Sequence, residues 1–138
     1  MKTAQKTAYE LLAEHNGVQA ERNRLAAQIA RSPEHVAMQL RMEMAKTDAR
    51  LGRLLDLHTA AVEREAGAAI EVAEHELEGM QAEVAEALTL IGADPFSTGE
   101  RATESRFVLA RRDDLILKIA SSRAAATLAR ERGYARSH

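Results

Sequence analysis

The chain has no cysteine and no tryptophan, and its 138 residues include only two tyrosines and two phenylalanines. Without cysteine, a disulfide framework, a thiolate zinc site and a cysteine nucleophile are all excluded. Long hydrophobic runs are also missing, because the longest apolar clusters cover only residues 107–110 and 115–117. A membrane-spanning helix needs about 20 apolar residues. The first six residues lack the apolar stretch of a signal peptide. We therefore expect a cytoplasmic protein without a membrane partner.

Alanine, leucine, glutamate and arginine dominate the composition, which is typical of helical bundles and coiled coils. This composition predicts an all-α fold, and the chain length predicts a single domain over residues 1–138. Arginine outnumbers lysine by 15 to 4. Together with the high alanine content, this bias favours a bacterial or phage origin.

An apolar seam runs along the middle of the chain at alternating steps of three and four residues. It predicts one very long central helix over about residues 33–91, which contain only one proline, at the start. Unbroken, such a helix would reach roughly 90 Å. Its seam needs other helices to cover it, either from this chain or from a second copy. The seam consists of Leu40, Met44, Leu51, Leu55, His58, Val62, Ala66, Ile70, Ala73, Leu77, Met80, Val84, Ala87 and Ile91.

Two further helices are predicted, over residues 2–31 and 98–132. Ser32-Pro33-Glu34 has the form of a helix start, so the first helix should fold back against the second. Ile91-Gly92 followed by Asp94-Pro95 should end the second helix, a Ser97–Glu100 capping box should start the third, and Gly133 should cap it. The first helix carries a seam of Ala4, Ala8, Leu11, His15, Val18, Arg22, Leu25 and Ile29. The apolar face of the third comprises Phe107, Val108, Leu109, Leu115, Ile116, Ile119, Ala124 and Leu128.

The central helix also contains features that favour a bend or a break near residues 58–67. Gly52 and Gly67 flank this region, and the seam there steps by four residues three times in succession. A continuous helix predicts an elongated antiparallel hairpin or coiled coil. A broken helix predicts a three- to four-helix bundle.

Charge is distributed unevenly along the chain. Residues 60–100 carry one basic and ten acidic side chains, whereas residues 101–138 carry nine basic and four acidic ones. One interpretation is a pair of binding surfaces of opposite charge. We favour the other, in which the acidic half of the central helix pairs with the basic third helix. The tight first turn similarly predicts an ion pair between Arg22 and Glu43, and places His15 near Arg50.

The sequence contains few candidates for metal-binding or catalytic residues. The best metal-binding candidate is a cluster of Glu71, Glu74, His75 and Glu78. No histidine has a glutamate three residues before it, so the spacing of ferritin-like di-metal bundles is missing. That class is a remote alternative, and a solvated acidic face explains the cluster. We find no catalytic motif and expect neither enzymatic activity nor a cofactor.

The predicted function is protein–protein interaction through helix faces, as in an adaptor, a chaperone or a phage or bacterial assembly or inhibitory factor. We expect the chain to form a homo-oligomer and to bind a protein partner through Met38, Met42, Arg111 and Arg112. The alternative is a nucleic-acid-associated protein that uses the basic third helix. Its candidate phosphate contacts are Arg101, Arg106, Arg111, Arg112, Lys118, Arg123 and Arg130.

Overall fold

A computed structural model of the protein describes residues 5–137, with side chains described up to residue 133. This part of the chain contains four helices and no strand: α1 (Ala8–Arg31), α2 (Glu34–Gly79), α3 (Gln81–Ala93) and α4 (Glu100–Ser137). The predicted fold class, all-α with one very long central helix, is confirmed. Within these residues, none of the helices combines the length and apolarity needed to cross a membrane.

The chain divides into two compact units. Unit 1 comprises the residues up to Glu65 together with those from Ala129 onward, and unit 2 comprises Ala66–Leu128. Helices α2 and α4 each contribute a segment to both units. The single domain over residues 1–138 stays a prediction.

In unit 1, α1 and the first part of α2 pack as an antiparallel pair. Its core contains Leu11 and Val18 of α1 with Leu51, Leu54 and Ala61 of α2. The predicted seam of α1 is confirmed, since all of its described members are buried or half-buried. Ala4 lies outside the described residues. The predicted turn is also confirmed, because α1 ends at Arg31 and the carbonyl of Pro33 accepts the first hydrogen bonds of α2.

Two details of the α1–α2 pair differ from prediction. Helix α1 begins at Ala8 and not at Lys2, because Thr7 caps it by accepting a hydrogen bond from the Glu10 backbone N–H. Residues 2–4 lie outside the described residues. Arg22 pairs with Asp48 at 2.6 Å and not with Glu43. A helical side chain points toward the N-terminus of its own helix, so a long arginine reaches a partner farther along the antiparallel neighbour.

The central helix is interrupted after Gly79 and is unbroken through residues 58–67, where the sequence favoured a bend or a break. Gly52 and Gly67 lie inside α2, where intact helical hydrogen bonding passes through them. At the break, the Met80 backbone N–H donates to both Glu76 and Leu77 carbonyls, and Met80 accepts from Val84. The backbone therefore stays close to helical, and the predicted seam continues across the break. All of its members from Leu40 to Ile91 are buried or half-buried.

In unit 2, the last part of α2 packs against α4. Ala73 of α2 lies in a buried cluster with Leu115 and Ile119 of α4, and Ile70, Leu77 and Met80 pack around them. The predicted apolar face of α4 is only partly correct. Leu115 and Ile119 are buried, but Phe107, Ile116, Ala124 and Leu128 are exposed. The face is wider than the neighbouring helices can cover.

The ends of α3 and α4 correct three predicted caps. Helix α3 continues through Gly92 and ends at Ala93, with Asp94 as its cap. Glu100 is the first residue of α4, so it cannot serve as the third helical residue that a Ser97 capping box requires. Gly99 precedes it at φ +111°, a conformation that glycine adopts easily, and the helix can start only after it.

The third cap, Gly133, lies inside α4, which runs on to Ser137. A Cβ atom at this position would lie 3.5 Å from Cγ2 of Thr59 on α2. Gly133 therefore occurs where two helices of unit 1 pack closely.

Because α2 is continuous at Gly67, replacing this glycine should change the stability of the helix. A Cβ atom there would meet no other atom within 4 Å, and the backbone is helical. Gly67→Ala should therefore raise the free energy of unfolding by about 0.5–1 kcal/mol, because alanine loses less backbone entropy on folding. Chemical denaturation monitored by circular dichroism measures this change. Gly99→Ala is the opposite control and should be destabilising, because its positive φ strains any side chain. Destabilisation by Gly67→Ala would contradict a continuous helix at this point.

Candidate protein-binding groove

An open groove lies in unit 2, between the end of α2, α3 and α4. One wall is formed by the last part of α2 together with α3, and its side chains keep the same helical spacing across the break. Helix α4 forms the other wall. Its volume is about 580 Å³. The lining residues are Glu74, Leu77, Glu78, Gln81, Val84, Ala85, Leu88, Arg112 and Ile116. The break after Gly79 keeps Leu77 and Val84 on the same side.

The groove has an apolar floor and a charged rim. Leu77 and Val84 are half-buried, whereas Leu88 and Ile116 are about half exposed. Glu74 and Glu78 lie one helical turn apart, which leaves two carboxylates along one edge. Opposite them, the guanidinium of Arg112 contacts Asp113 at 3.3 Å, while its Nε atom is shielded and makes no hydrogen bond. The groove thus offers aliphatic surface and charge of both signs.

The basic side chains of α4 are largely engaged with protein acids. Arg111 pairs with Glu76 at 2.8 Å, and three other arginines reach carboxylates of α2 or α3 at 3.1 Å. These three pairs are Arg101–Glu86, Arg123–Glu74 and Arg130–Glu63. The predicted pairing of the acidic central segment with the basic third helix is therefore confirmed.

The remaining candidate phosphate contacts have protein neighbours as well. Arg106 donates to the carbonyls of Pro95 and Ser97 in the α3–α4 loop, at 3.1 and 2.7 Å. Lys118 is exposed, and its charge helps lower the pKa of Glu76. Six of the seven cations proposed for nucleic acid thus already bind protein oxygen atoms within the described residues. Carboxylates pair with five of these seven cations, whereas Arg106 is bound only to uncharged carbonyl groups.

The Arg111–Glu76 pair has the best geometry of these contacts. Both Nε and Nη2 of Arg111 donate to the carboxylate of Glu76, at 2.9 and 2.8 Å. This bidentate hydrogen bonding lowers the pKa of Glu76 and raises that of Arg111. The pair joins α2 to α4 within unit 2.

Charge reversal should test this pair. We expect Arg111→Glu to lower the melting temperature at low ionic strength, because it places a second carboxylate beside Glu76. Added salt should shrink the difference, since both side chains are exposed to screening. Thermal melts of this variant and of the swap Arg111→Glu/Glu76→Arg measure the effect. The swap should recover most of the loss; equal melting temperatures for all three chains would show that the pair does not stabilise unit 2.

Acidification should act through the same carboxylate. The pKa of Glu76 is lowered from its ordinary value of 4.5, so the folded chain binds this proton less readily than the unfolded chain. The stabilisation is therefore complete above pH 4.5 and is lost as the pH falls through the lowered pKa. Melting temperatures measured across this range should fall less steeply for Glu76→Gln than for the unchanged chain. Parallel curves would contradict the assignment.

The candidate metal cluster does not assemble in the structure. The part of the chain that the structure describes holds no group of three or more potential metal ligands in suitable positions. Glu74 is engaged by Arg123, and Glu71, His75 and Glu78 are exposed along α2. These side chains form a solvated helix face, with Glu74 and Glu78 also lining the groove.

The two predicted partner-binding methionines belong to unit 1. Met38 and Met42 are exposed and lie one turn apart on α2, away from the seam of this helix. Arg112 lines the groove of unit 2, whereas Arg111 is bound to Glu76. The groove therefore includes only one of the four predicted partner-binding residues.

Sequence reasoning missed the groove itself. The predicted seam contains Leu77 and Val84, and the predicted apolar face of the third helix contains Ile116. Leu88 belongs to neither. Its spacing of four residues from Val84 and three from Ala85 indicates an apolar strip beside the seam.

No protein-family model, curated protein or solved structure gives a significant match to this chain.

Proposed function

We propose that the protein is a non-enzymatic interaction module and that the groove of unit 2 binds an amphipathic helix of another protein. The groove is the observation on which this proposal depends. Aliphatic side chains from three helices line it, and the stretch from Glu74 to Leu88 is roughly 20 Å long at helical rise. A groove of this kind suits a helix that presents apolar side chains at i, i+3, i+4 and i+7.

The charges on the rim suggest an orientation for the partner. Basic side chains on one flank of its helix would meet Glu78, since Glu74 is already paired with Arg123. An acidic side chain on the other flank would meet Arg112. None of the lining residues is a serine, threonine, histidine or tyrosine, so the groove has no hydroxyl or imidazole group that could act as a nucleophile. These features favour binding over catalysis.

Nucleic-acid association is the weaker alternative. Phosphate binding needs free lysine or arginine side chains. Four arginines of α4 are instead paired with glutamates of other helices. A phosphate backbone would have to displace these carboxylates, and we therefore favour the protein partner.

The proposal can be tested by affinity capture with the full chain as bait in a lysate of the source organism. The groove variant is Leu88→Glu/Ile116→Glu. Both residues are about half exposed, so the two new carboxylates would lie on the apolar surface of the groove. The matched control is Val72→Glu, an exposed residue of unit 2 that does not line the groove. Nuclease treatment is included in each arm.

A partner protein should be captured by the unchanged chain and by the Val72 variant, but not by the groove variant, and nuclease should have no effect. Circular dichroism on the bait proteins checks that both variants stay folded. Equal capture by the groove variant would overturn the assignment of the site. Loss of capture on nuclease treatment would move the function to nucleic acid.

A further inference from the structure

The outer face of α4 carries a second heptad stripe that the protein's own helices leave uncovered. Its members recur at alternating steps of four and three residues, and all eight are exposed within unit 2. Phe107 is 72% exposed and Leu117 is 67% exposed, so the stripe presents large apolar side chains to solvent. The outer stripe consists of Thr103, Phe107, Ala110, Asp114, Leu117, Ser121, Ala124 and Leu128.

The outer stripe has the spacing of a coiled-coil seam. Phe107, Asp114, Ser121 and Leu128 occupy one heptad position, and Thr103, Ala110, Leu117 and Ala124 occupy the other. It lies about opposite the buried face that contains Leu115 and Ile119, because a shift of two residues turns a helix by about 200°. At helical rise it is roughly 38 Å long. This length is sufficient for several layers of knobs-into-holes packing.

From this stripe we infer that a second copy of the chain docks on α4 and forms an antiparallel two-helix coiled coil. The inference concerns a different face from the groove and does not depend on the proposed function. Antiparallel pairing matches large side chains with small ones. Phe107 then faces Ala124 of the other copy and Leu128 faces Thr103, while Ala110 and Ser121 form a layer of two small side chains. A two-fold axis makes each contact occur twice.

The charge of Asp114 favours the antiparallel dimer over the parallel dimer. In a parallel, in-register dimer, Asp114 would face Asp114 of the other copy in the middle of the seam, and two like charges there are destabilising. In the antiparallel dimer, Asp114 lies beside Leu117 of the other copy and next to its Lys118. The carboxylate of Asp114 in each copy then lies close to the ammonium group of Lys118 in the other copy. The stripe is therefore complementary to itself in size and in charge.

Sedimentation equilibrium of the full chain tests the inference. At tens of micromolar we expect a mass of twice the monomer's 15.1 kDa. Leu117→Glu adds a carboxylate beside Asp114 of the other copy and should give a monomer. Phe107→Glu is a second variant with the same expected result. The control is Leu57→Glu, an exposed leucine of α2 in unit 1, which should stay dimeric.

The absence of cysteine allows a clean test of direction. In the antiparallel dimer, Phe107→Cys/Ala124→Cys should form intermolecular disulfides on mild oxidation. Phe107→Cys alone should not, because the two thiols would lie roughly 25 Å apart along the helices. Cross-linking by the single variant would overturn the antiparallel arrangement. A monomeric unchanged chain, or a dimer that survives both glutamate variants, would overturn the interface.

Discussion

Leu115→Ala should lower the free energy of unfolding by about 2–5 kcal/mol, one of the largest single effects that we expect in this protein. Leu115 is 2% exposed and lies in the cluster that joins α4 to Ala73 of α2. Truncation removes its transfer free energy and leaves a cavity that the surrounding helices can fill only in part. Urea unfolding monitored by circular dichroism measures the change.

Leu88→Ala is the matched control for this truncation. It removes the same atoms within unit 2, but Leu88 is 48% exposed, so its loss should be much smaller. Similar losses for the two variants would show that α4 does not pack on α2 through Leu115.

Ala61→Leu should destabilise the chain for the opposite reason. Ala61 is completely buried in unit 1, in the cluster formed with Leu11, Val18, Leu51 and Leu54. Adding three carbon atoms there forces neighbouring side chains out of their preferred rotamers or pushes the helices apart. Overpacking of this kind costs about 1–3 kcal/mol. A thermal melt should show a clearly lower melting temperature.

The adjacent residue provides the control, because Ala60 is exposed on the same turn of α2. Ala60→Leu has the same change in volume and nearly the same helix propensity, and it should leave the melting temperature almost unchanged. If Ala60→Leu were the more harmful of the two, the face of α2 that packs on α1 would be assigned incorrectly.

Several elements could be predicted because their causes are local. The seams of the first two predicted helices follow from three- and four-residue spacing, and their described members lie on buried or half-buried positions. Ser32 and Pro33 end one helix and start the next through backbone properties of those residues. The charge contrast between residues 60–100 and 101–138 correctly predicted ion pairs between sequential helices.

The positions of the break and of the caps could not be predicted from composition alone. Gly52, Gly67 and Gly79 look alike in sequence, yet α2 ends only at Gly79. A glycine lowers the cost of a break, but packing of the flanking segments decides whether the break occurs. Gly133 likewise has the sequence signal of a cap, but it lies inside α4, close to Thr59, which is far away in the chain.

Sequence alone was sufficient for the helical class, the first turn and the buried seams of the first two predicted helices, because hydrophobic periodicity and turn chemistry act over a few residues. The buried face of α4 depends instead on tertiary packing. Helix α4 carries two stripes of similar apolar content, one through Leu115 and Ile119 and one through Phe107 and Leu117. Periodicity cannot rank them, because the choice depends on where α2 and α3 place their own apolar residues. The groove and the outer stripe are both consequences of that choice.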